Sequence, residues 1–122
     1  MNIIITGPLG HIGSALIEKL TKIKNLKKVY LIDNASSNNL NVLFNLKSRR
    51  LKFKYINEDL TKKNVLHSIK QKIDVLIHLA STTNAAQSFK FKKALYKNNL
   101  GIFKNIVDFC IKKKIKLIHI SS

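Results

Sequence analysis

Three glycines near the start of the chain have the spacing of a loop that binds a diphosphate. In the segment TGPLGHIG, residues 6–13, Gly7, Gly10 and Gly13 lie between a short β-branched apolar run and a stretch of helical periodicity. A glycine at the first position permits a sharp turn out of a strand, and one at the second lets the backbone approach a pyrophosphate. The third allows the helix to pack closely on the sheet. The alternative is a glycine-rich turn that binds no ligand.

The residues that open the following helix are expected to supply the anion-binding groups. Backbone N–H groups at a helix N-terminus lack intrahelical partners and lie at the positive end of the helix dipole, so they bind phosphate oxygens without a lysine. Here these residues are Leu9, His11 and Ile12. A P-loop for nucleoside triphosphates is excluded, because Gly13 is followed by Ser14 and Ala15 and not by Lys and then Ser or Thr.

An acidic residue follows the glycine loop at the distance that a dinucleotide site requires. Asp33 ends a second apolar run, 20 positions after Gly13, and Asn34 adjoins it. A carboxylate there accepts hydrogen bonds from both hydroxyls of the adenosine ribose and repels a 2′-phosphate. After Asp33 the next basic residue is Lys47, so the sequence favours NAD over NADP. The alternative is that Asp33 caps a turn.

The elements that must position these residues alternate between strands and helices. Apolar runs predict strands over residues 2–6, 29–32, 51–56, 73–79 and 115–120. Helices are predicted from residue 12 to residue 23, over residues 40–47 and 61–70, and from about residue 89 to residue 113. This order predicts one α/β domain, residues 1–122, with a Rossmann-type doubly wound parallel sheet in strand order 3-2-1-4-5. The carboxyl ends of strands one and four then lie side by side, where such folds bind ligands.

Two helices carry patterns that predict which faces are buried. In the first helix the predicted buried stripe is Ile12, Ala15, Leu16, Leu20 and Ile23. In the last helix it is Leu95, Asn99, Ile102, Phe103, Ile106 and Cys110. Asn99 is the lone polar residue of that second stripe, and buried amides need partners. It is therefore a candidate site residue, with a locally satisfied structural asparagine as the alternative.

The remaining reactive side chains are expected to be structural. His78 and His119 lie in predicted strands and are expected to be packed, and Cys110 is expected to be a small core residue. No pair of histidines, cysteines or carboxylates has metal-ligand spacing, so no metal site is predicted. No apolar run approaches the roughly 20 residues of a membrane span, and no secretory signal opens the chain. These observations predict a cytoplasmic protein.

The charge of the chain raises a second function class. Its 122 residues carry a formal net charge of +17 and a pI near 10.2. A basic module that binds nucleic acid is therefore an alternative. Against it, only Arg49 and Arg50 are arginines, whereas specific recognition favours the guanidinium fork. We expect lysines that solvate an ordinary fold and no specific nucleic-acid partner.

With the glycine loop and Asp33 in place, the sequence resembles the extended short-chain dehydrogenases/reductases. This NAD-dependent epimerase/dehydratase group acts mostly on nucleotide sugars. The resemblance covers the whole chain and implies further cofactor contacts. Asp59, followed by Leu60, would contact the adenine amino group. The residues Leu79, Ala80 and Ser81 would lie along the ribose and the nicotinamide.

The resemblance extends to the last helix and the last strand. Asn99 matches an asparagine that helps to organise the family's active site, although Asn98 leaves the register open by one residue. Ile102 and Phe103 stand where the family usually has Gly-Thr, so we expect this helix to pack differently. Ser122 matches the catalytic Ser or Thr that hydrogen-bonds the reacting sugar oxygen.

The family's proton-transfer motif, Tyr-x-x-x-Lys, has no match in the sequence. None of the three tyrosines, Tyr30, Tyr55 and Tyr96, is followed by Lys four residues later. The resemblance therefore implies an N-terminal, NAD-binding part of a longer enzyme, inactive alone, and it leaves a homodimer open as the assembly of that enzyme. A non-catalytic dinucleotide sensor of the same fold is the other alternative.

Overall fold

The computed structural model of the chain describes residues 1–9, 11–34, 51–79 and 89–120. Eight strands and helices lie within these ranges. They are β1 (Asn2–Thr6), α1 (His11–Leu20), β2 (Lys28–Asp33), β3 (Lys52–Asn57), α2 (Asn64–His67), β4 (Val75–His78), α3 (Phe89–Lys113) and β5 (Lys116–His119). Every predicted strand is present, with its ends within two residues of the predicted ones. The helix predicted over residues 40–47 lies outside the described residues.

The five strands form one parallel sheet in the order β3-β2-β1-β4-β5. The predicted α/β fold and strand order are therefore confirmed. The order reverses direction at β1, whose neighbours are β2 and β4. Ile3, Ile4 and Ile5 of β1 are buried on both faces of the sheet, as expected for the central strand of a parallel sheet covered by helices.

The two faces of the sheet pack against different helices. On one face, side chains of α2 and α3, among them Leu66, Ile106 and Phe109, form a core with Ile4 and Leu76. On the other face, Ile17 and Leu20 of α1 pack with the alternate residues of β1 and β2. Strand β3 lies at the edge of the sheet, as the predicted strand order requires, and its Lys52 and Lys54 are exposed at alternate positions.

Of the two helices with a predicted buried stripe, α1 differs from its prediction and α3 agrees with it. Helix α1 ends at Leu20 instead of Ile23, and Ile12 and Ala15, predicted to be buried, are exposed. Its buried face is instead centred on Gly13 and Ile17, because Gly13 packs directly on the preceding loop. The long helix α3 has the predicted bounds. Its predicted stripe faces inward, with Ile102, Ile106 and Cys110 buried and Leu95, Asn99 and Phe103 half-buried.

The helix predicted over residues 61–70 is a single turn, α2. Its N-cap position is Lys63, which makes no side-chain capping bond, so Thr61 does not cap it. The backbone N–H of Thr61 is held by Asp59 and its carbonyl by Asn105. These bonds fix residues 59–61 in a turn and delay the start of the helix.

Two further properties concern the described residues as a set. No helix among them has the length and the apolar character that crossing a membrane demands. Within the same ranges, no three His, Cys, Asp or Glu side chains are grouped so that they could hold a metal ion. Cys110 is buried, and burial raises the pKa of its thiol to about 11, as expected for a core cysteine.

Candidate dinucleotide-binding site

The chain leaves β1 through a sharp turn at Gly7. The φ angle of Gly7 is 72°, in the left-handed region that glycine adopts without strain. Its backbone N–H donates to the carbonyl oxygen of Ile32 at 3.0 Å. This bond continues the β1–β2 pairing to the carboxyl edge of the sheet. The turn therefore directs residues 8 and 9 over the end of β2.

The third glycine of the motif lies against this turn. A Cβ atom at Gly13 would be 2.6 Å from both the Cα and the carbonyl oxygen of Pro8, a distance that real side chains do not reach. We predicted that Gly13 allows α1 to pack on the sheet, but the close approach is to the loop backbone. Gly10 and the side chain of His11 lie outside the described residues. The Ile12 side chain, 57% exposed, lies on the open side of the first turn of α1.

Asp33 lies directly beside the glycine loop. Its Oδ2 atom accepts a hydrogen bond from the backbone N–H of Leu9 at 3.2 Å, and its side chain is half-buried. Its backbone carbonyl accepts from the Tyr55 hydroxyl at 3.3 Å and from the N–H of Glu58 at 3.2 Å. Burial, and then the negative charge of Asp33, raise the pKa of Tyr55. Asn34, next to Asp33, is exposed.

At the junction of β1 and β4, three residues form a compact polar cluster. The backbone N–H of Leu79 donates to the carbonyl of Thr6 at 2.9 Å and to its hydroxyl at 3.1 Å. That hydroxyl lies 2.7 Å from Nδ1 of His78. Burial, and then the proximity of His119, lower the pKa of His78 to about 4. The imidazole is therefore neutral at pH 7.

His119, which lies next to this cluster on β5, differs from the prediction. His78 is buried, as predicted, whereas His119 of β5 is exposed. The His119 ring still stacks on that of His78, with 5.2 Å between centroids, and contacts the ring of Phe103 at 4.9 Å. It is exposed because β5 is the last strand of the described sheet. The two histidines and Thr6 occupy one row across the sheet.

The segment after β3 carries the next predicted site residues. The Asp59 carboxylate is exposed, and its Oδ1 atom accepts from the backbone N–H of Thr61 at 2.9 Å. Hydrogen bonds from Thr61 lower the pKa of Asp59 below its ordinary value. The side chain of Leu60, by contrast, is only 5% exposed and belongs to the core. Leu60 would therefore meet a ligand through its backbone.

Helix α3 carries the predicted site residue Asn99. Its side chain is half-buried and that of Asn98 is exposed, which favours Asn99 as the inward asparagine. Leu79 is half-buried at the end of β4. The predictions for Ala80, Ser81 and Ser122 fall outside the described residues. The structure thus brings the loop, Asp33 and the segment 58–61 to one edge of the sheet.

The predicted site residues do not include two residues of this edge, Thr6 and Asn105. Thr6 holds β1 to β4, and its only sequence signal is a hydroxyl at the end of an apolar run. Asn105 donates through Nδ2 to the carbonyl oxygens of Leu60 at 3.0 Å and Thr61 at 2.9 Å. Its signal is a polar residue between two buried positions of α3.

Comparisons with known proteins identify the family of the chain. Residues 4–122 match the model of the 3-beta hydroxysteroid dehydrogenase/isomerase family. The chain is similar to a dTDP-D-glucose 4,6-dehydratase of Dictyostelium discoideum, with 32% identity over 120 residues, which cover 93% of the chain and 27% of that protein.

Two solved structures have the same fold. A UDP-N-acetylglucosamine 4-epimerase from Methanobrevibacter ruminantium, in complex with UDP-N-acetylmuramic acid, is 30% identical with a TM-score of 0.76; the match covers 95% of the chain and 36% of that protein. A dTDP-glucose 4,6-dehydratase from Streptomyces venezuelae, solved with NAD bound, has a TM-score of 0.81 at 18% identity, over 98% of the chain and 38% of that protein. The chain thus spans about a third of the length of these relatives. By the extent of the family match, the chain belongs to the 3-beta hydroxysteroid dehydrogenase/isomerase family and, with it, to the extended short-chain dehydrogenases/reductases of the NAD-dependent epimerase/dehydratase type.

Proposed function

We propose that this chain is the NAD-binding part of an epimerase or dehydratase that acts on a nucleotide sugar. The observation that supports the proposal most directly is the contact between the Leu9 N–H and the Asp33 carboxylate at 3.2 Å. It sets the phosphate-binding loop and the ribose-binding carboxylate side by side, as one dinucleotide requires. Because Gly13 has no side chain, the first turn of α1 packs directly on the backbone of Pro8 in that loop.

Each part of the site has a role in this proposal. The backbone N–H groups of Gly10, His11 and Ile12 bind the diphosphate at the loop that Gly7 and Leu9 shape, and Asp33 with Asn34 binds the adenosine ribose. Asp59 binds the adenine amino group. Leu79, Ala80, Ser81 and Asn99 border the nicotinamide half, and Ser122 hydrogen-bonds the sugar oxygen. When bound, NAD supplies a hydride acceptor at that end of the site.

The proposal favours NAD over NADP and predicts binding without turnover. The Asp33 carboxylate repels a 2′-phosphate, and no basic residue adjoins it to compensate. The proton-transfer motif Tyr-x-x-x-Lys is not among the 122 residues. The chain by itself then lacks the group that would move a proton in step with hydride transfer.

Calorimetric titration of the purified chain tests this function. We expect NAD and ADP-ribose to bind with similar affinity, because the adenosine half contributes most of the contacts in the described site. NADP is expected to bind at least about tenfold more weakly, the effect of one unfavourable charge contact. Absence of binding by NAD and ADP-ribose would contradict the proposal, and redox or epimerase activity of the chain would contradict its inactive state.

The proposal includes a homodimer through an apolar stripe on the outer side of α3. Tyr96, Leu100 and Ile111 are 70%, 53% and 72% exposed, and Val107 between them is half-buried. The spacing of this stripe is the same read in either direction. An antiparallel second copy therefore pairs Tyr96 with Ile111 and Leu100 with Val107, which would remove both apolar ends from water.

A further inference from the structure

Asn105 connects helix α3 to the segment that follows β3. Its Nδ2 atom donates to two consecutive backbone carbonyls, those of Leu60 at 3.0 Å and Thr61 at 2.9 Å. An amide NH₂ group has two hydrogens, so both are used. On α3, Ile102 and Ile106 are buried in the core, and their packing fixes the position of Asn105.

Further hydrogen bonds hold the backbone of the same segment. The N–H of Thr61 donates to the Asp59 carboxylate at 2.9 Å, so Thr61 is bound through both its N–H and its carbonyl. The N–H of Glu58 donates to the carbonyl of Asp33 at 3.2 Å. Residues 58–61 are thus bound to β2 on one side and to α3 on the other, and Asp59 lies between the two attachments. The Asp59 carboxylate is exposed, as are the side chains of Glu58 and Thr61, so a ligand can reach it.

We propose that Asn105 is a positioning residue that sets the Asp59 carboxylate for recognition of the amino group of an adenine ring. This inference rests on the proposed function, since it assumes that a dinucleotide binds at this edge. Asn105 contacts only the backbone of the segment, and it acts on the base through Asp59. Without it, the carbonyls of Leu60 and Thr61 lose their shared donor and the carboxylate loses its fixed direction.

The test compares NAD with nicotinamide hypoxanthine dinucleotide, which has a carbonyl in place of the adenine amino group. The ratio of the two dissociation constants reports on the contact of the base and is insensitive to the fraction of folded protein. For the unchanged chain we expect NAD to bind at least roughly tenfold more tightly, the effect of one hydrogen bond to a charged group. Asp59→Ala is expected to bring the ratio close to one, and Asn105→Ala to bring it most of the way there.

Three further variants sharpen the interpretation. Asp108→Ala removes an exposed polar side chain from the same helix and should leave the ratio unchanged. Asn105→Leu keeps the size of the side chain but has no donor, so it should reduce the ratio as Asn105→Ala does and provides a second variant if Asn105→Ala does not fold. In the double variant with Asp59→Ala, the loss of Asn105 should lower the ratio no further.

The outcomes separate the two proposals. If the unchanged chain binds neither dinucleotide, the proposed function fails. If it binds NAD but the Asn105 variants keep the full preference, or weaken both dinucleotides equally, Asn105 is a structural residue and this inference is wrong. It is also wrong if the unchanged chain binds both dinucleotides equally, because Asp59 then does not recognise the amino group.

Discussion

The hydroxyl of Thr6 and Nδ1 of His78 lie 2.7 Å apart at the junction of β1 and β4. Both side chains are buried, and the hydroxyl also accepts the N–H of Leu79 at 3.1 Å. These hydrogen bonds therefore fix the position from which β1 and β4 separate towards the candidate site. Since Gly7 follows Thr6 and Leu79 follows His78, this cluster determines where the glycine loop and the end of β4 begin.

Stability is expected to fall as the pH decreases from about 6.5 to about 4, because of His78. Its pKa in the folded chain is about 4, below the ordinary value of 6.5, so the unfolded chain binds this proton more readily. The stabilisation is complete above pH 6.5 and is lost progressively towards pH 4, by an amount on the order of 3 kcal/mol. The neighbouring groups are Thr6, Phe103 and His119, and a protonated His119 opposes protonation of His78 further.

Urea unfolding at about pH 7.5 and about pH 4.5 measures this loss. His78→Asn removes the titrating ring and should make the free energy of unfolding less dependent on pH in this range. His119→Asn, at the exposed ring, should change the dependence much less. An unchanged pH dependence in His78→Asn would show that the buried imidazole is not the cause.

Two glycine substitutions are expected to have opposite effects. Gly13→Ala places a Cβ atom 2.6 Å from the Pro8 backbone, so the loop must move; we expect about 1–3 kcal/mol of destabilisation and weaker NAD binding. Gly101→Ala is the matched control, because a Cβ there meets nothing within 4 Å. Alanine in an exposed helix stabilises by up to about 1 kcal/mol relative to glycine. Thermal unfolding compares the two, and equal effects would contradict the close packing at Gly13.

Asp33 is expected to determine both the affinity for NAD and the discrimination against NADP. Asp33→Ala removes the acceptor of the Leu9 N–H together with the ribose contact, and it should weaken NAD binding at least about tenfold. Asp33→Asn keeps an acceptor but removes the charge, so NADP should bind closer to NAD. Calorimetry with both dinucleotides checks this. The assignment fails if NAD affinity is the same in both variants and in the unchanged chain.

The proposed homodimer is tested on the outer face of α3. Leu100→Glu places a charge in the centre of the apolar stripe and should shift the chain to a monomer in sedimentation velocity experiments. Lys112→Glu alters an exposed residue on another face of the same helix and serves as the control. If the unchanged chain is a monomer at high concentration, the pairing does not form.

The amino-acid sequence was sufficient to predict the architecture. Apolar runs separated by helical periodicity identify the strands, and the handedness of parallel crossovers restricts their order. The glycine loop after the first strand then favours the order of dinucleotide-binding folds, 3-2-1-4-5. The predictions for Gly7 and Asp33 succeeded in placing both at one edge of the sheet, because a glycine turn and a strand end are local features. The helix predicted over residues 61–70 is confirmed only as the single turn Asn64–His67. Residues 59–61 instead form a turn in which Asn105, 44 positions away from Thr61, donates to the Thr61 carbonyl.

The amino-acid sequence by itself therefore determined the fold and predicted the class of ligand, through patterns that extend over a few residues. Only the tertiary structure decided that Gly13 packs on Pro8, that Thr6 pairs with His78, and that Asn105 holds residues 60 and 61. These contacts depend on the register of β1 against β4 and on the rotation of α1 and α3 about their axes. Periodicity defines such rotations only to within a broad face of a helix, whereas a hydrogen bond requires an accuracy of a few tenths of an ångström.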